Sequence, residues 1–220
     1  MLELAIQWKD FLNPEFYIQH GGLWLFLFIV FAETGLFAGF FLPGDSLLFV
    51  AGIYSNELAA ELFNLNNDLL NLLLLALLVI FSGVLGNMVG YWFGAASGSY
   101  LFRKEDTFFF KKKHLLTAKD FYDKHGGGAI VFARFLPIIR TFAPIIAGIV
   151  RMEKHKFTFY NIVGCIAWAV IMLFAGHYLY KFFLNQFGFD LKERLEIIVL
   201  GIIFITTAPV LIKLIGKRKN

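Results

Sequence analysis

The chain has 220 residues, enough for one or two soluble domains, but 59% are hydrophobic, only 16% are charged, and the mean hydropathy is +0.69. That balance excludes a soluble globular protein and points to a polytopic membrane protein, with no nucleic-acid partner expected. The formal charge of +4 acquires meaning only when it is mapped onto loops.

Residues 2–12, LELAIQWKDFL, place Leu4, Trp8, Phe11 and Leu12 at helical spacing, which predicts an amphipathic helix lying in the membrane interface. An apolar run over 23–42 follows, carrying Glu33 well inside it and breaking at Pro43-Gly44 before DSLLFVAGIY continues to Tyr54. The connector 55–68 holds Glu57, Glu61 and Asp68 and no Lys or Arg. Leu69 to about Ala96 reads as a full transmembrane helix, since ~20 apolar residues suffice to cross the hydrocarbon core. A polar, basic stretch covers 97–128. Residues 129–150 are apolar except for Arg134 and Arg140, with Pro137 and Pro144 as expected breaks. Two further spans are expected near 157–180 and 195–215.

Smaller signals bound the chemistry. Cys165 is the single cysteine, so no intrachain disulfide can form. The five histidines show neither HxxxH nor HExxH spacing, and no metal or other cofactor is expected. The first apolar run lacks an A-x-A-like exit, so no cleavable signal peptide stands out.

FYIQHGG at 16–22 recurs as FYDKHGG at 121–127. Each copy precedes a proline-broken apolar segment that carries intramembrane charge and ends in Ala-Gly, at 51–52 and 147–148. Each is then followed by a transmembrane helix. In each copy His-Gly-Gly would end an amphipathic helix, a glycine supplying the left-handed cap. A match at five of these seven positions, with the same sequel twice, points to duplication. The basic residues orient the copies. Segment 97–128, the link RMEKHK at 151–156 and the tail with Lys213, Lys217, Arg218 and Lys219 should all face the cytoplasm. Residues 129–150 then dip in from the cytoplasmic side and return, and 23–54 does the same from outside. Alternatively, 23–42 spans the membrane alone, which would put the N-terminus inside.

The resulting expectation is an all-α integral membrane protein, one domain over residues 1–220. It comprises an inverted repeat of two re-entrant hairpins, three transmembrane helices and interfacial amphipathic helices. Repeat 1 covers about 1–96 with its re-entrant part at 23–54; repeat 2 covers about 115–180 with its re-entrant part at 129–150. Inverted repeats are a layout of secondary transporters.

A charge near the bilayer centre costs ~2.5–3.5 kcal/mol on insertion scales. Glu33, Asp45, Arg134 and Arg140 are therefore expected to meet one another or a ligand. Two readings stay open: salt bridges that fasten two hairpins, or a switchable anion site. In the second, protonating Glu33 or Asp45 would release an arginine for a phosphate, which guanidinium binds in bidentate fashion. Pro43-Gly44 would start a half-helix whose amides favour an anion, with Asp45 as its possible cap. Ser82, Gly86, Gly90, Gly94 and Gly98 fall four apart and form a face for close helix packing, within the subunit or in a homo-oligomer. Asn87 and Tyr91 lie beside it as polar glue or site lining. Lys111 to Lys113 favour anionic membrane lipids. His177 stands alone in sequence and makes no relay by itself.

ETGLFAGFFLPGDSLL followed by ARFLPIIRTFAPIIAG resembles the DedA family, the bacterial branch of the SNARE-associated, VTT-domain membrane proteins. The similarity runs over about residues 15–180. It implies two re-entrant hairpins in an inverted repeat in the bacterial inner membrane. It also implies a flippase or scramblase role in moving undecaprenyl phosphate or phospholipid, dependent in some members on the proton-motive force. The family's essential acids map onto Glu33 and Asp45 and its essential arginines onto Arg134 and Arg140. Departures are Ala38 in place of a proline, Ala133 in place of a glycine, and Gly86-Asn87 where many members have Gly-Asp. The function expected is proton-linked translocation of a lipid phosphate head group, without enzymatic chemistry. The alternatives are a proton-coupled exporter of small cations and an integral-membrane lipid phosphatase.

Overall fold

The computed structural model describes residues 14–36, 44–63, 65–103, 124, 126–188, 190–194 and 201. The expected interfacial helix 2–12, Pro43, most of the basic stretch and the expected span 195–215 lie outside the described residues. Regular structure among the described residues is helical throughout: α1 (Pro14–Gly35), α2 (Gly44–Ile53), α3 (Ser55–Ala60), α4 (Asp68–Arg103), α5 (Gly128–Ala133), α6 (Pro137–Ile149) and α7 (Lys154–Phe187), then a 3-10 turn, Leu191–Arg194. The 36 residues of α4 and the 34 of α7 are long and apolar enough to cross a membrane. At 1.5 Å per residue each extends on the order of 50 Å, well beyond a hydrocarbon core of about 30 Å. The spans expected at 69–96 and 157–180 fall inside them.

The chain divides into two compact units, one from residues 1–26, 42–76 and 170–220, the other from 27–41 and 77–169. Neither coincides with a sequence repeat, because α1, α4 and α7 each pass from one unit into the other.

In the first unit, α1 bends at Gly22, whose φ of 56° and ψ of −154° lie outside the helical range. The helix restarts at Leu23, whose N–H donates to both carboxylate oxygens of Glu61, at 3.1 and 3.0 Å. A negative group at a helix start satisfies an orphan amide and meets the favourable end of the dipole. In the second copy of the His-Gly-Gly motif the positive φ falls one glycine earlier, at Gly126 (58°). In the first copy one helix ends at Gly22, whose positive φ is the glycine conformation expected there, and the next begins directly after it. Further along the same unit, α2 and α7 approach closely: a Cβ at Gly176 would collide with the carbonyl of Phe49, and one at Gly52 with that of Leu173.

In the second unit the small-residue face of α4 carries the packing. Ser82 Oγ donates to the Leu27 carbonyl at 2.6 Å. Gly86 lies against Phe31, Thr34 and Gly35 of α1, Gly94 against the Ile145 carbonyl of α6, and Gly98 against Ile149. Gly90 faces both, with Gly35 on one side and Pro144 and Ile145 on the other. Of the two uses expected for this face, the one seen is packing within the chain. Gly148 reciprocates against the Tyr91 carbonyl. Tyr91 stacks on Phe157 with ring centroids 4.5 Å apart and donates to the Met152 carbonyl at 2.5 Å. Its role is polar glue.

The expected breaks in 129–150 need correction. The interruption lies at residues 134–136, between α5 and α6, with Leu136 extended (φ −112°, ψ 106°) as the residue before a proline must be. Pro137 then begins α6, a position that suits its fixed φ and missing donor. Pro144 breaks nothing: it sits inside α6. Its cost is one helical bond, the amide that would serve the Arg140 carbonyl four residues earlier, and neighbouring protein can accommodate such a loss within a membrane.

Candidate functional site

Glu33 lies near the end of α1 and is 1% exposed. The close approach of Gly35 to Gly86 holds that end against α4. Arg140 lies one turn into α6, which the same face of α4 grips through Gly90 and Gly94. The Arg140 guanidinium donates to Glu33 Oε1 and forms a salt bridge with it, Glu33 being buried and Arg140 mostly so. The expected meeting of Glu33 with Arg134 or Arg140 is thus made with Arg140.

Arg134 caps the C-terminus of α5 and is 6% exposed. Two glycines make its berth: a Cβ at Gly83 would lie 2.7 Å from its Nη2, and one at Gly164 would lie 3.5 Å from its Cδ. Asn87 meets it from α4. With the amide nitrogen donating to the Thr34 carbonyl at 3.0 Å, the Asn87 oxygen accepts from Arg134 Nη1. The opposite orientation would set donors against donors. Asn161 touches Asn87, with 2.6 Å between polar atoms, and donates to the Val84 carbonyl at 3.2 Å.

One aromatic ring serves both arginines. The guanidinium carbons of Arg134 and Arg140 lie 4.7 and 5.3 Å from the centroid of Trp168, which is itself buried. The electron-rich indole face attracts cations, and more strongly where water is excluded. Trp168 was not singled out from sequence. Its signal was present in the spacing Asn161, Gly164, Trp168, which puts a polar group, a gap and an indole on one face of α7.

The structure therefore brings together Glu33, Arg134 and Arg140 in the second unit. Asp45 belongs to the first unit, in the first turn of α2, where a carboxylate favours the helix dipole. Gly44 opens that helix as expected. Among the described residues, the charged groups gathered around Trp168 are the Glu33 carboxylate and the guanidiniums of Arg134 and Arg140. Chemically this suits an anion with several oxygens, and the carboxylate is the group whose charge a proton can cancel.

A second polar cluster went unread. In the first unit, the buried ring of His177 is bonded to Ser55 Oγ through Nδ1 and to Asp68 Oδ2 through Nε2, each at 3.0 Å. Its members lie 109 and 122 positions apart, so no local spacing could reveal them.

Buried ion pairing between broken helical segments, carried by long apolar helices, defines a class of integral membrane protein, and the comparisons agree. The profile of the VTT domain matches residues 42–178, and the chain belongs to this family, in its DedA branch. Protein DedA of Escherichia coli K12 is 34% identical over 90% of this chain and 85% of its own length. The inner membrane protein YqjA of the same organism is 28% identical over 80% of this chain and 75% of its own. Undecaprenyl phosphate transporter A of Bacillus subtilis is 30% identical over 44% of this chain and 52% of its own. No solved structure matches. The chain is accordingly a protein of the bacterial inner membrane.

Proposed function

We propose that this protein is a transporter that moves a phosphate-bearing lipid across the inner membrane, driven by protons. The observation that carries the reading is the Glu33–Arg140 pair with Arg134 on the same indole. The Bacillus subtilis relative, named as an undecaprenyl phosphate transporter, supports this substrate class.

In this mechanism Glu33 in its charged form occupies Arg140. A proton on Glu33 removes the charge that holds the guanidinium, and the head group takes its place with two phosphate oxygens on the planar fork. Arg134, held by Asn87 and Trp168, adds a second positive charge. Loss of the proton restores the Glu33–Arg140 pair and expels the phosphate. Asp45 is proposed as a second titratable acid. The two broken segments, α1–α2 and α5–α6, are proposed as the re-entrant hairpins of an inverted repeat. No covalent step is required, so the protein is read as a non-enzyme.

The test is reconstitution in vesicles carrying undecaprenyl phosphate, with and without a pH gradient. Gradient-dependent appearance of the head group on the far leaflet, with no free phosphate, is expected. Release of inorganic phosphate would make the protein a lipid phosphatase. Proton-driven efflux of small cations without lipid movement would make it a cation exporter.

A further inference from the structure

The Ser55–His177–Asp68 cluster has the connectivity of a proton-binding site. His177 lies on α7 and is 4% exposed. Ser55, fully buried, opens α3, and Asp68 opens α4 with its side chain 34% exposed. The chain of bonds therefore runs from a partly exposed carboxylate to a buried ring and on to a buried hydroxyl. Asp68 is firmly placed: Asn56 Nδ2 donates to its Oδ1 at 2.6 Å, Lys181 Nζ pairs with its Oδ2, and Asn71 Nδ2 steadies Asn56 at 2.8 Å. Tyr178 meets the ring edge-on, centroids 5.2 Å apart.

What these partners share is the ability to accept. A carboxylate oxygen and a hydroxyl oxygen flank the imidazole, so a doubly protonated ring finds an acceptor for each N–H. The same partners serve the neutral ring. If the proton leaves Nε2, it passes to the Asp68 carboxylate and from there to water, while Nδ1–H stays on Ser55. One N–H bond breaks, one O–H bond forms on the Asp68 carboxylate, and no heavy atom has to move. A histidine placed only for packing needs no such reversible partners on both sides.

We propose that His177 is a proton-binding site, loaded and unloaded through Asp68 with Ser55 as the inner partner, and that it is where protons enter the transport cycle. The first half stands on this geometry alone; the second rests on the proton-driven reading of the Glu33–Arg140 site.

The two halves are tested separately. Full-length protein in lipid, with nitrogen-15 histidine, is followed by magnetic resonance between roughly pH 5 and 9, a window spanning the ordinary titration of histidine. The His177 signal is identified by its loss in His177→Gln. It is expected to pass once between the neutral and doubly protonated ring, and Asp68→Asn should displace that step by about one pH unit or more. Ser55→Ala should alter the Nδ1 signal of the neutral ring. A ring that keeps one protonation state throughout, or a step indifferent to Asp68→Asn, overturns the proton site. In undecaprenyl phosphate vesicles, His177→Gln should remove one step from the pH profile of translocation. An unchanged profile with a titrating ring overturns the entry role alone. A wild type that moves no phosphate lipid overturns the transport reading, while the resonance result still decides the proton site.

Discussion

Arg140 on α6 and Glu33 on α1, 107 positions apart in the chain, close a buried salt bridge. Neither charge would be easily supported alone in so apolar and enclosed a setting. The glycines of α4 that let α1 and α6 come close are thus as much a part of the site as the charges.

Removing one partner should leave the other buried and uncompensated. Glu33→Leu and Arg140→Leu are each expected to cost ~3–5 kcal/mol of stability, as for broken buried pairs generally. The double variant should regain most of that in thermal unfolding of the purified protein. Translocation of undecaprenyl phosphate should remain lost in it, because both proposed substrate and proton groups are gone. A double variant that transports normally would reduce the pair to a fastening.

Charge and geometry separate at the same position. Arg140→Lys keeps the positive charge but replaces a planar fork with a point charge. The variant should insert, fold and pair with Glu33, yet bind phosphate lipid more weakly by about 1–3 kcal/mol, the range for one charge-assisted contact. Binding measured by calorimetry in detergent checks this, with full affinity as the opposing result.

The small-residue face offers a stability test with an internal control. A Cβ at Gly94 would meet the Ile145 backbone carbonyl, which has no rotamer to escape through, whereas nothing lies within 4 Å of a Cβ at Gly128. Gly94→Ala should therefore destabilise by about 1–3 kcal/mol, the usual cost of overpacking. Gly128→Ala should be close to neutral. Equal thermal stability of the two variants would deny α4 its packing role.

How far the sequence could be read follows from the range of each signal. The spans inside α4 and α7, the four-residue spacing from Ser82 to Gly98, and the charges that had to find one another are visible because membrane insertion penalises every exception locally. Partner choice was less legible. Whether Glu33 meets Arg134 or Arg140 depends on where α6 begins, and that depends on Pro137 starting a helix and Pro144 riding inside it. Trp168 hid among apolar neighbours because an indole in a span usually needs no explanation. His177 looked solitary because Ser55 and Asp68 reach it only through tertiary packing.

Topology is open to direct measurement. In a Cys165→Ala background, Ala60→Cys and His155→Cys place single thiols at exposed positions, one in the acidic connector and one in the basic link. A membrane-impermeant maleimide added to intact cells should label the first and spare the second until the membrane is opened. The reverse pattern would invert the orientation and remove the charge argument for the repeat.

The last prediction concerns the indole that the two arginines share. Trp168 contributes an aromatic face to two guanidiniums, and each contact is worth on the order of 0.5–2 kcal/mol, more where water is excluded. Trp168→Phe retains a ring of weaker quadrupole; Trp168→Leu retains bulk and removes the face. If the indole matters as a cation platform, stability and phosphate-lipid binding should fall in the order Trp, Phe, Leu. If it matters only as volume, Phe and Leu should behave alike. The residue also reports on the site. Drawing Arg140 from Glu33 onto a phosphate changes the charge beside the indole, so undecaprenyl phosphate should alter tryptophan emission. Trp8, Trp24 and Trp92 remain in Trp168→Phe, and the response should disappear there if it comes from this ring. A full response in Trp168→Phe would mean that the phosphate binds away from the paired arginines.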